Sequence, residues 1–302
     1  MKIFVTGGTG FIGSYIVEKL LEDGNEITIY ARNPNKVSGF LNREKIAFVQ
    51  GAMAESEKFS EGLKGHDALI HVALAWGDTP TEMLFNETLP SVRLFEASAR
   101  AGVSRIIYTS SIAAFGSAAT IDSGCVKPAD SYGATKASAE AYLMAIGAKH
   151  GIKVNAVRPG YTFGNPAVEG GFIYSDKKIK NMVASVVRGE DLEFAENDGT
   201  QFIWAGDLAK IFAAVIASDV DRNYYTGVSK DFRQWGDIAK RAAELAGSKS
   251  EIRFIDKGIP KAKTLPIDVS QIERDFGFEF HTDEKMDEHL EHLIKLKMNE
   301  FQ

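Results

Sequence analysis

The chain predicts an α/β fold, a doubly wound parallel sheet followed by a smaller, mostly helical lobe. Three observations lead there. Short β-branched runs alternate with longer helical patterns through the first half. Several of those runs are apolar with little alternation, as strands are when helices cover both sheet faces. A glycine-rich turn joins the first run to the first helical pattern, and parallel neighbours need such crossover connections.

Strands are expected at Lys2–Val5, Glu26–Tyr30, Ile46–Val49, Asp67–Val72, Arg105–Tyr108 and Lys153–Val157. The first helix carries Ile12, Ile16, Val17, Leu20 and Leu21 on one face and stops at Gly24. Further helices fit 81–101 and 131–150. The βαβ rhythm breaks at Gly164-Asn165-Pro166, after which helical patterns cover 176–188, 206–218, 233–246 and 283–297. We therefore expect a first domain over 1–165 and a second lobe over 166–302, in line with about two domains for 302 residues.

Composition sets the class of partner. Thirty-five basic against 41 acidic side chains give a formal charge of −6. That surface is poorly suited to a polyanion, so nucleic acid is not an expected partner. The single cysteine, Cys125, forms no internal disulfide and reads as an unreactive thiol. No apolar run approaches the roughly 20 residues that span a bilayer. Met1-Lys2 leads straight into Ile3-Phe4-Val5 without a small-residue cleavage site. These features fit a cytoplasmic protein with no membrane partner.

Thr6-Gly7-Gly8-Thr9-Gly10-Phe11-Ile12-Gly13 lies between the first strand and the first helix. Glycines at 7, 10 and 13 suit a tight turn, close backbone approach to a pyrophosphate, and helix–sheet packing. Free N–H groups and the dipole at the helix start favour the anion. This is the signature of a Rossmann-type domain. The second strand ends in Ile29-Tyr30-Ala31-Arg32-Asn33, without the carboxylate that usually holds the adenosine ribose 2′-hydroxyl. Arg32, helped by Lys36, suits a 2′-phosphate instead. The alternative is a solvated surface arginine; the expectation is that NADP(H) is preferred, with NAD(H) possible.

Tyr132-Gly133-Ala134-Thr135-Lys136 opens the helix before the sixth strand. Residues at i and i+4 share a helical face. A free tyrosine titrates near 10, and a neighbouring ammonium lowers that value, as acid/base work at neutral pH requires. The same spacing also fits a half-buried tyrosine beside a solvated lysine.

With these residues the chain resembles the extended short-chain dehydrogenase/reductases, the NAD-dependent epimerase/dehydratase family. The likeness runs through Thr6–Gly13, His71-Val72-Ala73, Asn86, Tyr108-Thr109-Ser110-Ser111, Tyr132/Lys136, and Arg158-Pro159-Gly160 before Phe163-Gly164. Weaker echoes lie at Gly206-Asp207-Leu208-Ala209 and Ser270–Phe278. The resemblance implies that segments near 201–228 return to complete the sheet. It also implies that Ser111 holds the substrate oxygen, Tyr132 is the general acid/base, and Lys136 binds the nicotinamide ribose. Asn86 matches the family asparagine near the nicotinamide end. Gly7, Thr9, Gly10, Phe11, Ile12, Gly13, Ala52, Met53, Val72, Ala73, Leu74 and Pro159 match cofactor-contacting positions. The helices over 81–101 and 131–150 resemble those that pair family members, so a homodimer is expected.

Departures narrow the reaction. Sugar 4,6-dehydratases carry Asp-Glu just after the catalytic hydroxyl residue, whereas Ser111 is followed by Ile112-Ala113-Ala114. Sugar-nucleotide epimerases carry an asparagine near Tyr161 and arginines near Thr200 and Gly258 that grip the substrate diphosphate. Here only Lys257, Lys261 and Lys263 could stand in, as point charges. Ala52-Met53 replaces an Asp-hydrophobic pair, so adenine would rest on apolar packing. Tyr161 is a candidate for substrate contact. Trp204 sits where the family often has histidine, and could line the substrate cleft or pack between lobes.

The resulting expectation is an NAD(P)-dependent oxidoreductase that reduces a ketone or aldehyde, or runs the reverse oxidation. The alternative is a nucleotide-sugar 4-epimerase with bound NAD, and a third reading is a dinucleotide sensor without catalysis. His289 and His292, among Asp283, Glu284, Glu288 and Glu291, read as a solvated charged face rather than a metal site. Substrate contacts fall in loop 112–130 and the second lobe. The cofactor reading predicts that Arg32→Ala lowers the NADPH-to-NADH affinity ratio by about one to two decades. Fluorescence titration of both dinucleotides measures it, and an unchanged ratio rejects Arg32 as the selector.

Overall fold

Seven of the apolar runs align side by side, all parallel, because each is returned to the same edge direction by a helical crossover. The structure, a computed structural model, describes residues 1–116, 126–172, 177–264 and 266–300. The expectation for Cys125 and for much of loop 112–130 lies outside them. The strands are β1 (Lys2–Thr6), β2 (Glu26–Ala31), β3 (Ile46–Gln50), β4 (Ala68–His71), β5 (Arg105–Thr109), β6 (Lys153–Pro159), β7 (Tyr161–Phe163), β8 (Leu192–Ala195), β9 (Gly199–Trp204), β10 (Tyr224–Gly227), β11 (Phe232–Gln234) and β12 (Ile252–Ile255). The main sheet runs β3-β2-β1-β4-β5-β6-β10, so strand order reverses at β1/β4. That reversal opens a crevice at the strands' carboxyl ends.

Helices Phe11–Glu22 and Ala205–Ala217 cover one face through Ile16, Val17, Leu20, Leu208, Ile211 and Phe212. Leu89–Arg100 and Ser131–His150 cover the other through Leu94, Phe95, Ala139 and Leu143. Of the stretch near 201–228, β10 pairs with β6 in the main sheet, whereas β9 pairs with β7 and β11 outside it. A third core gathers Lys177–Val187, Trp235–Ala246 and Asp283–Glu300 around Phe163, Phe202 and Trp235. The second lobe thus also carries two small sheets, the other being β8-β12.

The helix expected over 81–101 is present from Pro80 to Arg100, but it is not uniform: a π-helical segment at Leu84–Thr88 lies between the α-helical turns Pro80–Met83 and Leu89–Arg100. Pro90 explains the widening. It has no N–H to give to the carbonyl four residues back, that of Asn86, and its ring crowds that oxygen.

Arg158 and Glu140 form a buried bidentate ion pair, with both N–H···O distances 2.7 Å. Phe115 and Tyr224 flank the guanidinium, with ring centroids at 4.0 and 4.2 Å. The pair therefore ties β6 to the helix Ser131–His150 and to the turn that leaves β5.

His71, at the end of β4, is fully buried. The Ala73 N–H donates to Thr6 Oγ1, which lies 2.6 Å from His71 Nδ1. His71 Nε2 lies 2.9 Å from Ser91 Oγ, whose own proton goes to the Glu87 carbonyl. With the Ser91 proton engaged, Ser91 Oγ accepts from His71 Nε2–H, and in the neutral ring Nδ1 accepts from the Thr6 hydroxyl. Burial, with the nearby Lys136 charge, pushes the imidazole down to about 3. An unfolded histidine titrates near 6.5, so below that pH the unfolded chain takes up a proton that the native chain refuses. Stability present at pH 7 is therefore lost as pH falls toward about 3, by several kcal/mol in all. Urea unfolding between pH 7.5 and 4.5 should show this decline, and His71→Asn should make it shallower. The same slope in both proteins would rule His71 out as its source.

Candidate active site

A cleft of about 900 Å³ lies where the switch point opens, lined from the ends of β1 to β6. At its adenosine-side end the structure places Arg32, Lys36, Ala52 and Met53, beyond β2 and β3. Gly7, Thr9, Gly10, Phe11, Ile12 and Gly13 form its central wall, and Val72, Ala73 and Leu74 the wall after β4. Asn86, Ser111, Tyr132, Lys136, Pro159 and Tyr161 line the rest. Nearly every residue singled out from sequence thus meets on one cleft.

Trp204 is the exception among those residues. It is not part of the cleft lining; it packs edge-on against Tyr15 at 5.9 Å, with the Lys285 ammonium 5.1 Å from its ring. β9 runs in the second lobe's sheet, which carries its last residue to the junction between lobes rather than into the cleft. Lys257, Lys261 and Lys263 are exposed and also lie off the cleft. The solvated reading of His289 is corrected too. Its ring is buried, Nδ1 lies 2.8 Å from Asn165 Oδ1, and burial pushes it down to about 4. Among the described residues no cluster of three or more metal-ligating side chains occurs.

The glycine turn fits a dinucleotide pyrophosphate. Gly7 has a left-handed φ of +71°, and a Cβ on it would sit 2.5 Å from the Ala73 nitrogen. A Cβ on Gly13 would lie 2.1 Å from the Gly7 carbonyl oxygen. No side chain caps the helix at Gly10, so its first N–H groups remain available for an anion. Thr109 and Ser110 also line the cleft.

Asp130 caps the helix that presents Tyr132 and Lys136, accepting from the Gly133 N–H at 2.7 Å. Gly133 is needed there, because a Cβ would meet the Ala113 carbonyl at 2.3 Å. This close approach seats Tyr132 beside the turn that follows Ser111. Ser111 Oγ accepts from the Ala113 N–H at 3.1 Å, which leaves its own hydrogen free to be donated. Lys136 is 3% exposed, and its Nζ donates to the Thr109 carbonyl at 3.1 Å and to Glu87 Oε1 at 3.2 Å. Burial alone would lower it, but the Tyr108 phenol and the Glu87 carboxylate hold it above the ordinary lysine range.

Sequence reasoning missed Glu87, Trp76 and Phe85. Asn86 Nδ2 donates to the Trp76 carbonyl at 3.2 Å, and the Trp76 ring lies 5.8 Å from that of Tyr132. Glu87 lies between Asn86 and Thr88, and no local pattern marks its carboxylate as buried.

A seven-stranded parallel sheet with a glycine turn at its switch point defines a dinucleotide-binding α/β protein. The chain matches the NAD dependent epimerase/dehydratase family over residues 3–226, and it belongs to that family. It is 25% identical over 283 residues to a trifunctional UDP-glucose 4,6-dehydratase/UDP-4-keto-6-deoxy-D-glucose 3,5-epimerase/UDP-4-keto-L-rhamnose-reductase of Arabidopsis thaliana, covering 84% of this chain and 41% of that one. It is 32% identical over 163 residues to a UDP-glucose 4-epimerase of Neisseria gonorrhoeae, covering 48% of each. The chain thus spans about half the length of these curated relatives. Among solved structures, a UDP-glucuronic acid 4-epimerase from Bacillus cereus in complex with NAD superposes with a TM-score of 0.82 over 100% of both chains at 18% identity, a likeness of fold. These names weigh toward the epimerase alternative more than toward the reductase.

The glycine geometry carries its own prediction. Gly13→Ala should weaken binding of the preferred dinucleotide at least about tenfold, as the helix start is forced off the turn. Titration calorimetry measures it, and wild-type affinity in the variant would show that this contact does not shape the site.

Proposed function

We propose that this chain transfers a hydride between a nicotinamide dinucleotide and a carbinol or carbonyl carbon, with NADPH-dependent reduction of a ketone or aldehyde as the net reaction. The observation that carries the reading is the meeting of Ser111, Tyr132, Lys136 and Asn86 on the cleft that the glycine turn opens. The bound dinucleotide supplies the hydride chemistry at its nicotinamide carbon. In this reading the Ser111 hydroxyl donates to the substrate oxygen, and Tyr132 delivers or takes the proton on that oxygen. Lys136 holds the nicotinamide ribose. Arg32 and Lys36, both exposed at the adenosine-side end with no carboxylate beside them on β2, support the NADP preference.

The reductase reading draws further support from charge. Among the described residues lining the cleft the cations are Arg32, Lys36 and Lys136, and the last is paired with Glu87. A substrate diphosphate would find few partners at the nicotinamide end. The second reading, a nucleotide-sugar 4-epimerase with tightly held NAD, draws on the relatives' names. We also assign residues 1–165 to the cofactor domain and 166–302 to the substrate lobe, with Ala205–Ala217 and β10 returning to the first. Leu89–Arg100 and Ser131–His150 form the proposed homodimer face. A cytoplasmic site of action fits a chain in which no helix among the described residues is long and apolar enough to cross a membrane.

Tyr132→Phe should abolish turnover while leaving dinucleotide affinity within about twofold. NADPH consumption across a carbonyl panel, run beside UDP-sugar epimerisation, reads both reactions, and a fully active variant rejects the assignment of Tyr132. Stoichiometric NAD retained through purification would favour the epimerase over the reductase.

A further inference from the structure

Glu87 is the most deeply buried carboxylate near the cleft, at 1% exposure, and no step of the proposed reaction uses it. An ionised carboxylate so far from water must be matched by donors. Its two oxygens find them on two different walls. Oε1 accepts from Lys136 Nζ at 3.2 Å, and Oε2 accepts from the Ala75 N–H at 2.8 Å. Lys136 and Ala75 both line the cleft. The π-helical segment that carries Glu87 also carries Asn86, which holds the carbonyl of the next loop residue, Trp76.

We propose that Glu87 is a positioning residue for dinucleotide binding, acting through Lys136: its carboxylate fixes the ammonium at the nicotinamide-ribose end of the cleft while pinning the loop after β4 that faces the same ligand. The assignment rests on the dinucleotide reading above. An ammonium offers three N–H donors, of which Glu87 and the Thr109 carbonyl take two. With those two bonds made, the direction of the third is set by the protein and not by the ligand. A lysine on a four-carbon stem without such partners would have to be ordered at the moment of binding, which costs affinity. Glu87 also balances the buried charge, so the lysine stays in place when the cleft is empty. A role confined to stability would affect every ligand of the cleft alike. A role through Lys136 affects only those that carry the nicotinamide riboside.

That difference is the test. Affinities of the full-length chain for NADPH and NADH are measured by fluorescence, beside ADP and its 2′-phosphorylated form, which lack the nicotinamide riboside. Glu87→Gln should weaken the preferred dinucleotide roughly tenfold and leave the matching ADP ligand within about twofold. Should that variant fail to fold, Glu87→Asp keeps the charge but shortens its reach by one methylene. It should show the same selective loss at about threefold. Equal loss for both ligands, or no loss, in whichever variant folds overturns the role given to Glu87. A wild type that binds neither dinucleotide instead sinks the functional reading itself, and this assignment with it.

Discussion

A full positive charge sits almost wholly out of water at the centre of this cleft, and much of the surrounding architecture follows from keeping Lys136 there. An unpaired ammonium at that depth would shed its proton or unfold its neighbourhood. The chain meets the requirement from three elements at once. β5 offers the Thr109 carbonyl and the face of Tyr108, 4.9 Å from Nζ, and the π-helical segment offers Glu87. β4 contributes by restraint: His71 is kept neutral by its burial, with the Lys136 charge acting in the same direction, while two hydroxyls fix its ring. A second buried cation there would have no carboxylate left to balance it.

The same neutral hydrogen-bond chain has a mechanical consequence. It runs from the Ala73 N–H through Thr6, His71 and Ser91 to the Glu87 carbonyl, so it joins the glycine turn, the exit of β4 and the π-helical segment. The two sides of the switch point cannot separate without breaking buried bonds, each of which leaves an unsatisfied group. Widening of the helix at Leu84–Thr88 is part of this arrangement. With the Asn86 carbonyl freed by Pro90, Asn86 and Glu87 both reach the loop after β4. Placement of π turns at functional sites follows this pattern, since the inserted residue changes which side chains share a face.

How much of this was legible in the sequence depended on range. The glycine turn and the six strands of the first domain rest on local patterns, and the structure places them within a residue or two of expectation. The π-helical segment inside the helix over 81–101 did not show, because periodicity alone cannot register one missing donor at Pro90. His289 was misjudged for a related reason. Its sequence neighbours are acidic, but its spatial neighbours are Asn165 and Phe163, more than a hundred residues away. Trp204 could be narrowed to cleft or lobe junction, and only the pairing of β9 with β7 decided between them. Glu87 stood beside a residue that the family resemblance did mark. Nothing local says that a carboxylate on a helix will be buried against a lysine 49 residues on.

The two ends of the cleft differ in a way that bears on substrate choice. Arg32 and Lys36 are exposed at one end, Lys36 with its ammonium 4.0 Å from the Phe172 ring, and two cations there suit a phosphorylated ligand. At the other end the rim is apolar and open: Leu74 is 44%, Trp76 61% and Phe85 59% exposed. Three large apolar groups exposed on the same cleft, Trp76 among them beside Tyr132, are a standing cost that contact with an apolar body removes. Trp76 is also held at its backbone by Asn86, so such contact requires little ordering of the loop. Among the described residues lining that end of the cleft the cation is Lys136, and it is already paired with Glu87. The asymmetry therefore sets two chemically different ends on one cleft, a cationic one at Arg32 and Lys36 and an open apolar one at Leu74, Trp76 and Phe85.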